Sequence, residues 1–374
     1  MNVLGIETSC DETAAAVVTD GRHVRSNVIS SQIALHRAHG GVVPELAARG
    51  QVQAIIPVIR SAIGEAGIDA REIDAVAFTQ GPGLAGSLLV GVNAAKALAM
   101  SLGRPMIAVN HLEAHVYANW LAPPGEDNLQ PPALPAVCLL VSGGHTELLL
   151  LREQGRYEML GRTIDDAAGE AFDKGARLLG LDYPGGPAIQ EAATDGDRTR
   201  FAFPRASLGE SLNFSFSGLK TSLLRTVEPY RIPDDGPKAM STALFPEHRP
   251  PRYRDDLPLA DLAASYEEAI IDVLAAKTMR AARRTGARSI LIAGGVAANR
   301  GLRDRLRLCV AGSWPAGEGP EVRWPDLSYC TDNAAMVAGL GFDLYRRGAR
   351  TDLHADAFPR FPVGTGVLMA QSQG

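Results

Sequence analysis

Apolar and polar positions sort this chain into two rounds of one pattern. In the first round, the apolar run 3–7 reads as a strand, Thr8-Ser9-Cys10-Asp11-Glu12-Thr13 as a polar turn and 14–19 as a second strand. Asp20-Gly21 is a two-residue hairpin signal leading into a third strand at 23–30. Helical spacing covers 44–66, with Pro44 near the start, where its missing N–H is harmless. An apolar strand at 73–79, the turn Gln80-Gly81-Pro82-Gly83-Leu84, a small-residue helix through 102 and a strand at 105–109 follow. That last strand runs straight into His111, giving the order β-β-β-α-β-α-β-α.

Residues 123–135, rich in proline and polar groups, read as a boundary. The pattern then restarts with a strand at 136–142, the turn Ser142-Gly143-Gly144-His145-Thr146, and strands at 147–151 and 157–164. Helices are expected at 169–181 and 187–194, and a variable stretch at 213–258 contains a Pro/Arg-rich run, 246–252, read as an exposed insertion. A long helix over 259–284 places Leu259, Leu262, Tyr266, Ile270 and Val273 on one face. A strand at 289–293, a glycine turn at 294–299, a helix at 298–310, a strand at 321–325 and a helix at 332–347 complete the round. The tandem layout resembles the α/β actin-like and sugar-kinase-like (ribonuclease H-like) superfamily. It implies two such domains in tandem, at 1–122 and 136–374, the second with a helical insertion around 187–258, and a central nucleotide cleft. A Rossmann reading fails because each half opens on a hairpin, not on strand, G-x-G-x-x-G and helix.

Composition narrows the function classes. A net charge of −5 and 21% charged residues leave no global basic field for coating nucleic acid. The opening residues lack the basic n-region of a signal or transit peptide, and no apolar run approaches the roughly 20 residues of a membrane span. Cys10, Cys138, Cys309 and Cys330 are scattered without a C-x-x-C pair, which reads as reduced thiols. The expectation is a cytoplasmic protein with no membrane partner.

His111 and His115 stand four residues apart. On a helix that spacing sets both imidazoles on one face, roughly 5–6 Å apart, within reach of one metal ion; two histidines on a polar face remain the other reading. Asp332 is either the N-cap of the last helix or a third ligand. Two histidines and a carboxylate suit Fe(II) or Zn(II). The peptidase pattern H-E-x-x-H is not met, because Glu113 sits two residues after His111, about 200° around the helix; no G-x-S-x-G elbow occurs either. Three turns suit phosphate: 8–13 with Asp11 and Glu12, the glycine turn 142–146, and Gly294-Gly295 ahead of a helix N-terminus. Asp173 and the loop Tyr183-Pro184-Gly185-Gly186-Pro187 can offer a carboxylate and an N–H to ribose hydroxyls. Basic runs at Lys277/Arg280/Arg283/Arg284, Arg300/Arg303/Arg305/Arg307 and Arg346/Arg347/Arg350 are the candidates for an RNA backbone.

These motifs, taken with Gly40-Gly41-Val42-Val43-Pro44-Glu45, Asp182–Pro187 and Phe214-Ser215-Phe216-Ser217-Gly218-Leu219-Lys220, resemble the bacterial tRNA N(6)-adenosine threonylcarbamoyltransferase family over roughly residues 1–362. The resemblance implies transfer of a threonylcarbamoyl group from threonylcarbamoyl-AMP to the N(6) amine of the adenosine just 3′ of the anticodon, in tRNAs reading codons that begin with A, with release of AMP. It implies one divalent ion, Fe(II) in preference to Zn(II), on His111, His115 and Asp332. It implies an adenylate held by Leu140, Val141, Ser142, Gly143 and Gly144 with Asp173, Gly186 and Asn299. Asp11 is assigned as proton acceptor. The implied partners are tRNA, an inactive paralogue of the same fold and a small ATPase. A small-molecule kinase or O-carbamoyltransferase of the same fold is the alternative, as is a non-enzymatic ATP-gated scaffold; all leave the histidine pair without a task.

Overall fold

The computed structural model describes residues 1–126, 129–206, 208–233 and 248–364. The first half contains β1 (Asn2–Glu7), β2 (Glu12–Thr19), β3 (His23–Ser31), α1 (Ile33–Arg37), α2 (Pro44–Glu65), β4 (Ala75–Gly81), α3 (Ala85–Leu102), β5 (Met106–Asn110) and α4 (His111–Tyr117). The second contains β6 (Ala136–Val141), β7 (Thr146–Glu153), β8 (Arg156–Arg162), α5 (Ala168–Leu179), α6 (Gly185–Ala192), α7 (Ser217–Val227), α8 (Leu259–Thr285), β9 (Ser289–Ala293), α9 (Arg300–Ala311), β10 (Glu321–Arg323) and α10 (Ala334–Arg346). The sheets have the orders β3-β2-β1-β4-β5 and β10-β9-β6-β7-β8. In each, the first three strands form an antiparallel meander and the last two join in parallel beside the first strand. The same topology twice is the tandem actin-like, sugar-kinase-like architecture.

Alternation along the strands explains the layering. In β2, Ala15 and Val17 face an outer core with α2 and α3, whereas Ala14, Ala16 and Val18 face inward. In β6, Val137, Leu139 and Val141 face an outer core with α5, α8 and α9, whereas Cys138 and Leu140 face inward. Both faces of these strands are buried, so they read as unbroken apolar runs. The inward faces of the two sheets share one core, filled by α4, by the 3-10 turn Ala118–Trp120 and by α10. Although α10 is last in the chain, it lies on β1, β2 and β4 of the first sheet. Gly5 permits this, since a Cβ there would stand 2.3 Å from the Ala334 carbonyl oxygen.

Several local expectations shift. The last helix begins at Ala334, and its N-cap is Asn333, whose side chain accepts from Met336 N. Asp332 is therefore not the cap. The long helix buries Leu262, Tyr266, Ile270 and Val273 as its spacing predicts, but Leu259 is only half-buried. The short helix α1 carried no periodic signal. Of the insertion, α6, α7 and 248–258 are described; 234–247, and Asp127-Asn128 of the boundary segment, lie outside the described residues. Among the described helices, α3 matches a membrane span in length and composition, with 18 residues at mean hydropathy 1.4. It packs on β4 and α2 through Leu88, Val92, Ala95 and Ala99, as the crossover helix of the first sheet.

Candidate metal centre and nucleotide cleft

The site is built where the two halves meet. Asn110 ends β5 and caps α4, its Oδ1 accepting Leu112 N at 2.9 Å and Glu113 N at 3.2 Å. The next residue, His111, starts the helix, and His115 follows one turn later on the same face. Their ring centroids lie 4.6 Å apart at 79°. Asp332, from the loop before α10, brings Oδ1 to 3.0 Å from His115 Nε2 and 3.6 Å from His111 Nε2. Ligand atoms of the three residues all lie within 4.8 Å of one another.

Glu7 completes this arrangement. It ends β1, fully buried, and its Oε2 stands 3.0 Å from His111 Nδ1. Thr79 Oγ1 donates to the same oxygen at 2.6 Å, and Ser9 N donates to Oε1 at 2.5 Å. A proton on His111 Nδ1 is thereby fixed, and Nε2 turns toward Asp332 as the nitrogen that would exchange its proton for a metal. Burial alone would lower the His111 pKa, but the Glu7 and Asp332 carboxylates outweigh it and raise it to about 9. Burial likewise opposes ionisation of Glu7 and Asp332, and the adjacent imidazoles nonetheless hold both below the ordinary carboxylate range. His115 lacks such support, since its Nδ1 is buried without a partner among the described residues. Two imidazole nitrogens and one carboxylate, one of them oriented by a buried acid, fit a divalent transition ion.

Glu113 confirms the helical geometry from the other side. Its buried carboxylate accepts from Gly364 N at 3.0 Å, away from the triad, and burial raises its pKa to about 7. Glu113 is therefore not placed to serve as the general base of a metallopeptidase.

The cleft walls come from the hairpin tips. On the first half, Asp11 is buried beside Glu12, whose pKa burial and then the charges of Asp332 and Asp11 push up to about 9. On the second, Gly143 and Gly144 are exposed, and nothing lies within 4 Å of where a Cβ would sit on either. Leu140 and Val141, by contrast, are buried in the ladder, so only Ser142, Gly143 and Gly144 of the expected five reach the surface. His145 faces the triad; burial, then His111 and His115, lower its pKa to about 4 and keep it neutral. Asp173 Oδ1 accepts from Gly185 N at 2.7 Å, which leaves Gly186 open at the start of α6. Asp173 lines a cavity of about 270 Å³ between the halves with Arg37, Gly40, Tyr183, Gly185 and His248. Asn299 is already engaged, accepting from Leu302 N at 2.9 Å and donating to Glu267 Oε1 at 2.8 Å.

The basic runs separate on inspection. Arg305 pairs with Glu268 and Asp272, Arg284 with Glu210, Arg300 with Asp304 and Arg347 with Asp343. Arg303 and Arg307 instead stack over Trp324 at 5.1 and 4.2 Å.

Sequence reasoning singled out the triad but missed Glu7 and His145. A lone acid closing an otherwise apolar strand was the available signal for Glu7; a buried charge in that position needs a partner.

The sequence profile of the tRNA N6-adenosine threonylcarbamoyltransferase family matches residues 23–339. The chain is 57% identical over 370 residues to the tRNA N6-adenosine threonylcarbamoyltransferase of Thermomicrobium roseum, covering 99% of each. It is 48% identical over 364 residues to that of Symbiobacterium thermophilum, covering 97% of each. Among solved structures it is similar to T. kodakarensis HypF, with a TM-score of 0.58 at 16% identity over 93% of this chain and 48% of that one. That likeness bears on the fold alone.

Proposed function

The chain belongs to the tRNA N6-adenosine threonylcarbamoyltransferase family, and we propose that it moves the threonylcarbamoyl group from threonylcarbamoyl-AMP to the adenosine just 3′ of the anticodon in tRNAs reading codons that begin with A. The observation that carries this reading is the triad of buried His111 and His115 with half-buried Asp332, on the floor of a cleft walled by phosphate-type turns. A kinase would use the turns and leave the triad idle.

In this reading the backbone N–H groups of Gly143 and Gly144 face the phosphate of the donor, where no side chain blocks approach, while Ser142 N donates to His145 O at 2.8 Å and holds the turn closed. Asp173, Gly186 and the turn ending at Asn299 hold the nucleoside, with Leu140 and Val141 setting the strand end beneath it. The amine attacks the carbamoyl carbon, the bond from that carbon to the phosphate oxygen breaks, and AMP leaves. The adenine amine is a poor nucleophile, so positioning and proton removal supply much of the acceleration. Asp11 is the acceptor we assign to that proton. His111, His115 and Asp332 would hold one divalent ion, Fe(II) in preference to Zn(II). When bound, such an ion supplies electrophilic stabilisation to an oxygen of the donor. Arg303 and Arg307 are the basic side chains we assign to the tRNA backbone. An inactive paralogue and a small ATPase are the proposed helpers, in keeping with a net charge of −5, and the setting we propose is the cytoplasm.

The test is mass spectrometry of tRNA incubated with threonylcarbamoyl-AMP and this chain, alone and with the two helpers. A threonylcarbamoyl adduct on that adenosine is expected. Its absence in every combination would overturn the reading, and elemental analysis of protein purified without added metal decides between iron and zinc.

A further inference from the structure

After α10 the chain runs back over the first half as an extended strap, residues 351–364. Thr351 N donates to Met106 O at 2.9 Å, and Thr351 Oγ1 accepts from Ala108 N at 2.9 Å. Phe358 N donates to Gln80 O at 2.8 Å, Gln80 Nε2 to Asp356 O at 2.9 Å and Gly83 N to Pro359 O at 3.3 Å. The approach is close enough that a Cβ on Gly81 would stand 1.8 Å from the Phe358 oxygen. Asn110 Nδ2 donates to Phe361 O at 2.9 Å and to Pro362 O at 3.3 Å, and Gly364 N donates to Glu113 Oε1 at 3.0 Å.

These attachment points share one property. Gln80 follows Thr79, which hydrogen-bonds Glu7, which orients His111. Asn110 precedes His111 and caps its helix. Glu113 lies between the two histidines. The strap touches none of the three triad residues in these bonds, yet it secures the residue before His111 and a residue between the two histidines. The helix α10 is anchored differently: its first-turn Ala335 N donates to Asn27 Oδ1 at 3.3 Å, and none of the strap bonds above reaches it. Asn333 caps α10 as Asn110 caps α4, but its Nδ2 donates to Tyr329 O and Thr331 O, within the loop just before it. One cap is local; the other is tied to carbonyls 251 and 252 residues away.

We infer that Asn110 and the 351–364 strap act as a positioning device for α4, holding His111 and His115 in the register that meets Asp332. Asn110 is a positioning residue with two faces, since Oδ1 sets the first turn of the helix and Nδ2 fixes that turn to the strap. The α4 helix is only 7 residues long, too short to hold itself in water, so its order must come from such attachments and from packing. The inference deepens the metal reading above, but the geometry on which it rests contains no metal.

The experiment separates the two faces of Asn110. Asn110→Ser and Asn110→Asp each keep an oxygen for the Leu112 and Glu113 amides and remove the donors to Phe361 and Pro362. A chain ending at Arg360 removes the two carbonyls and leaves Asn110 intact. Amide exchange by mass spectrometry follows α4 and α10 side by side in each, and competition titration with Co(II) and Zn(II) reads affinity. We expect α4 exchange to quicken about tenfold or more while α10 is unchanged, and metal affinity to fall roughly 10- to 100-fold. Unchanged α4 protection in the point variants overturns the inference. So does an equal loss in α4 and α10, which would mark general destabilisation. If the parent chain takes up neither ion, the metal reading fails by itself, and α4 exchange still decides the positioning role.

Discussion

The two halves share a strand order and differ at their hairpin tips. The tip after β1 is flanked by carboxylates, with Glu7, Asp11 and Glu12 all largely buried. Its equivalent after β6 is Ser142-Gly143-Gly144-His145, with two exposed glycines and open space above them. A tip rich in buried acids suits a cation or a proton; a tip of bare amides suits an anion. The fifth strands diverge in a matching way. Each leads toward a helix capped by asparagine, Asn110 for α4 and Asn333 for α10. The first half places a histidine just after its cap, and the second places an aspartate just before its own. Because α4 and α10 pack together between the sheets, these unlike residues become one triad. The repeat supplied two similar platforms, and unlike tips give the cleft buried carboxylates on one wall and exposed backbone amides on the other.

The contrast breaks most completely if either contributor to the triad is removed. His111→Ala and Asp332→Ala are each expected to lower bound metal and activity together, by about 100-fold or more. Metal analysis and modification assays on the same preparations check this; full activity in a metal-stripped double variant would refute a catalytic ion. Next is the acid beneath the first wall. Glu7→Gln keeps an acceptor for His111 Nδ1 but removes the charge, so the His111 pKa should fall from about 9 and metal affinity drop roughly 10- to 100-fold. NMR titration of the imidazole and chelator competition read the two effects.

Packing across the halves offers a stability test. Gly5→Ala forces a methyl against Ala334 O and Ala338 N, and should cost about 1–3 kcal/mol in chemical denaturation. The smaller effects lie on the second wall. Burial raises the Asp173 pKa from 3.8 to about 6, against the hydrogen bond from Gly185. The folded state therefore holds this proton more tightly than the unfolded chain. Stability contributed by the protonated form is present below pH 4 and is lost as pH rises through about 6. Asp173→Asn keeps the acceptor and removes the charge, so its stability relative to the parent should improve across that window, by up to about 3 kcal/mol, and level off above it. Donor binding should weaken in the same variant. Finally, Gly143→Ala has room in the fold, so denaturation should change by less than about 0.5 kcal/mol. In the proposed donor pose the methyl would stand in the path of the phosphate, and the donor KM should rise about tenfold, as measured by steady-state kinetics.

Some of this was readable in order along the chain. The strand and helix periods, the restart after 123–135 and the i, i+4 histidine pair all depend on neighbours within a few residues, where side-chain direction follows from backbone period. The same local logic placed Glu113 on the far side of α4, where it bonds Gly364. Motif resemblance added Asp332, which spacing had left equally open as a cap.

Tertiary structure decided the rest. His111 and Glu7 are 104 residues apart in sequence, and His115 and Asp332 are 217 apart. No local periodicity records which of many polar residues will be buried face to face at such separations. Glu7 becomes an orienting group only when β1 lies beside β4 and α4 closes over both. Asn299, expected at the nucleotide, is drawn to the α9 cap and Glu267 because buried amides must be satisfied wherever the fold leaves them. The sequence by itself determined two half-folds and their chemistry-bearing tips; the packing of α10 against the first sheet determined which of those groups would meet.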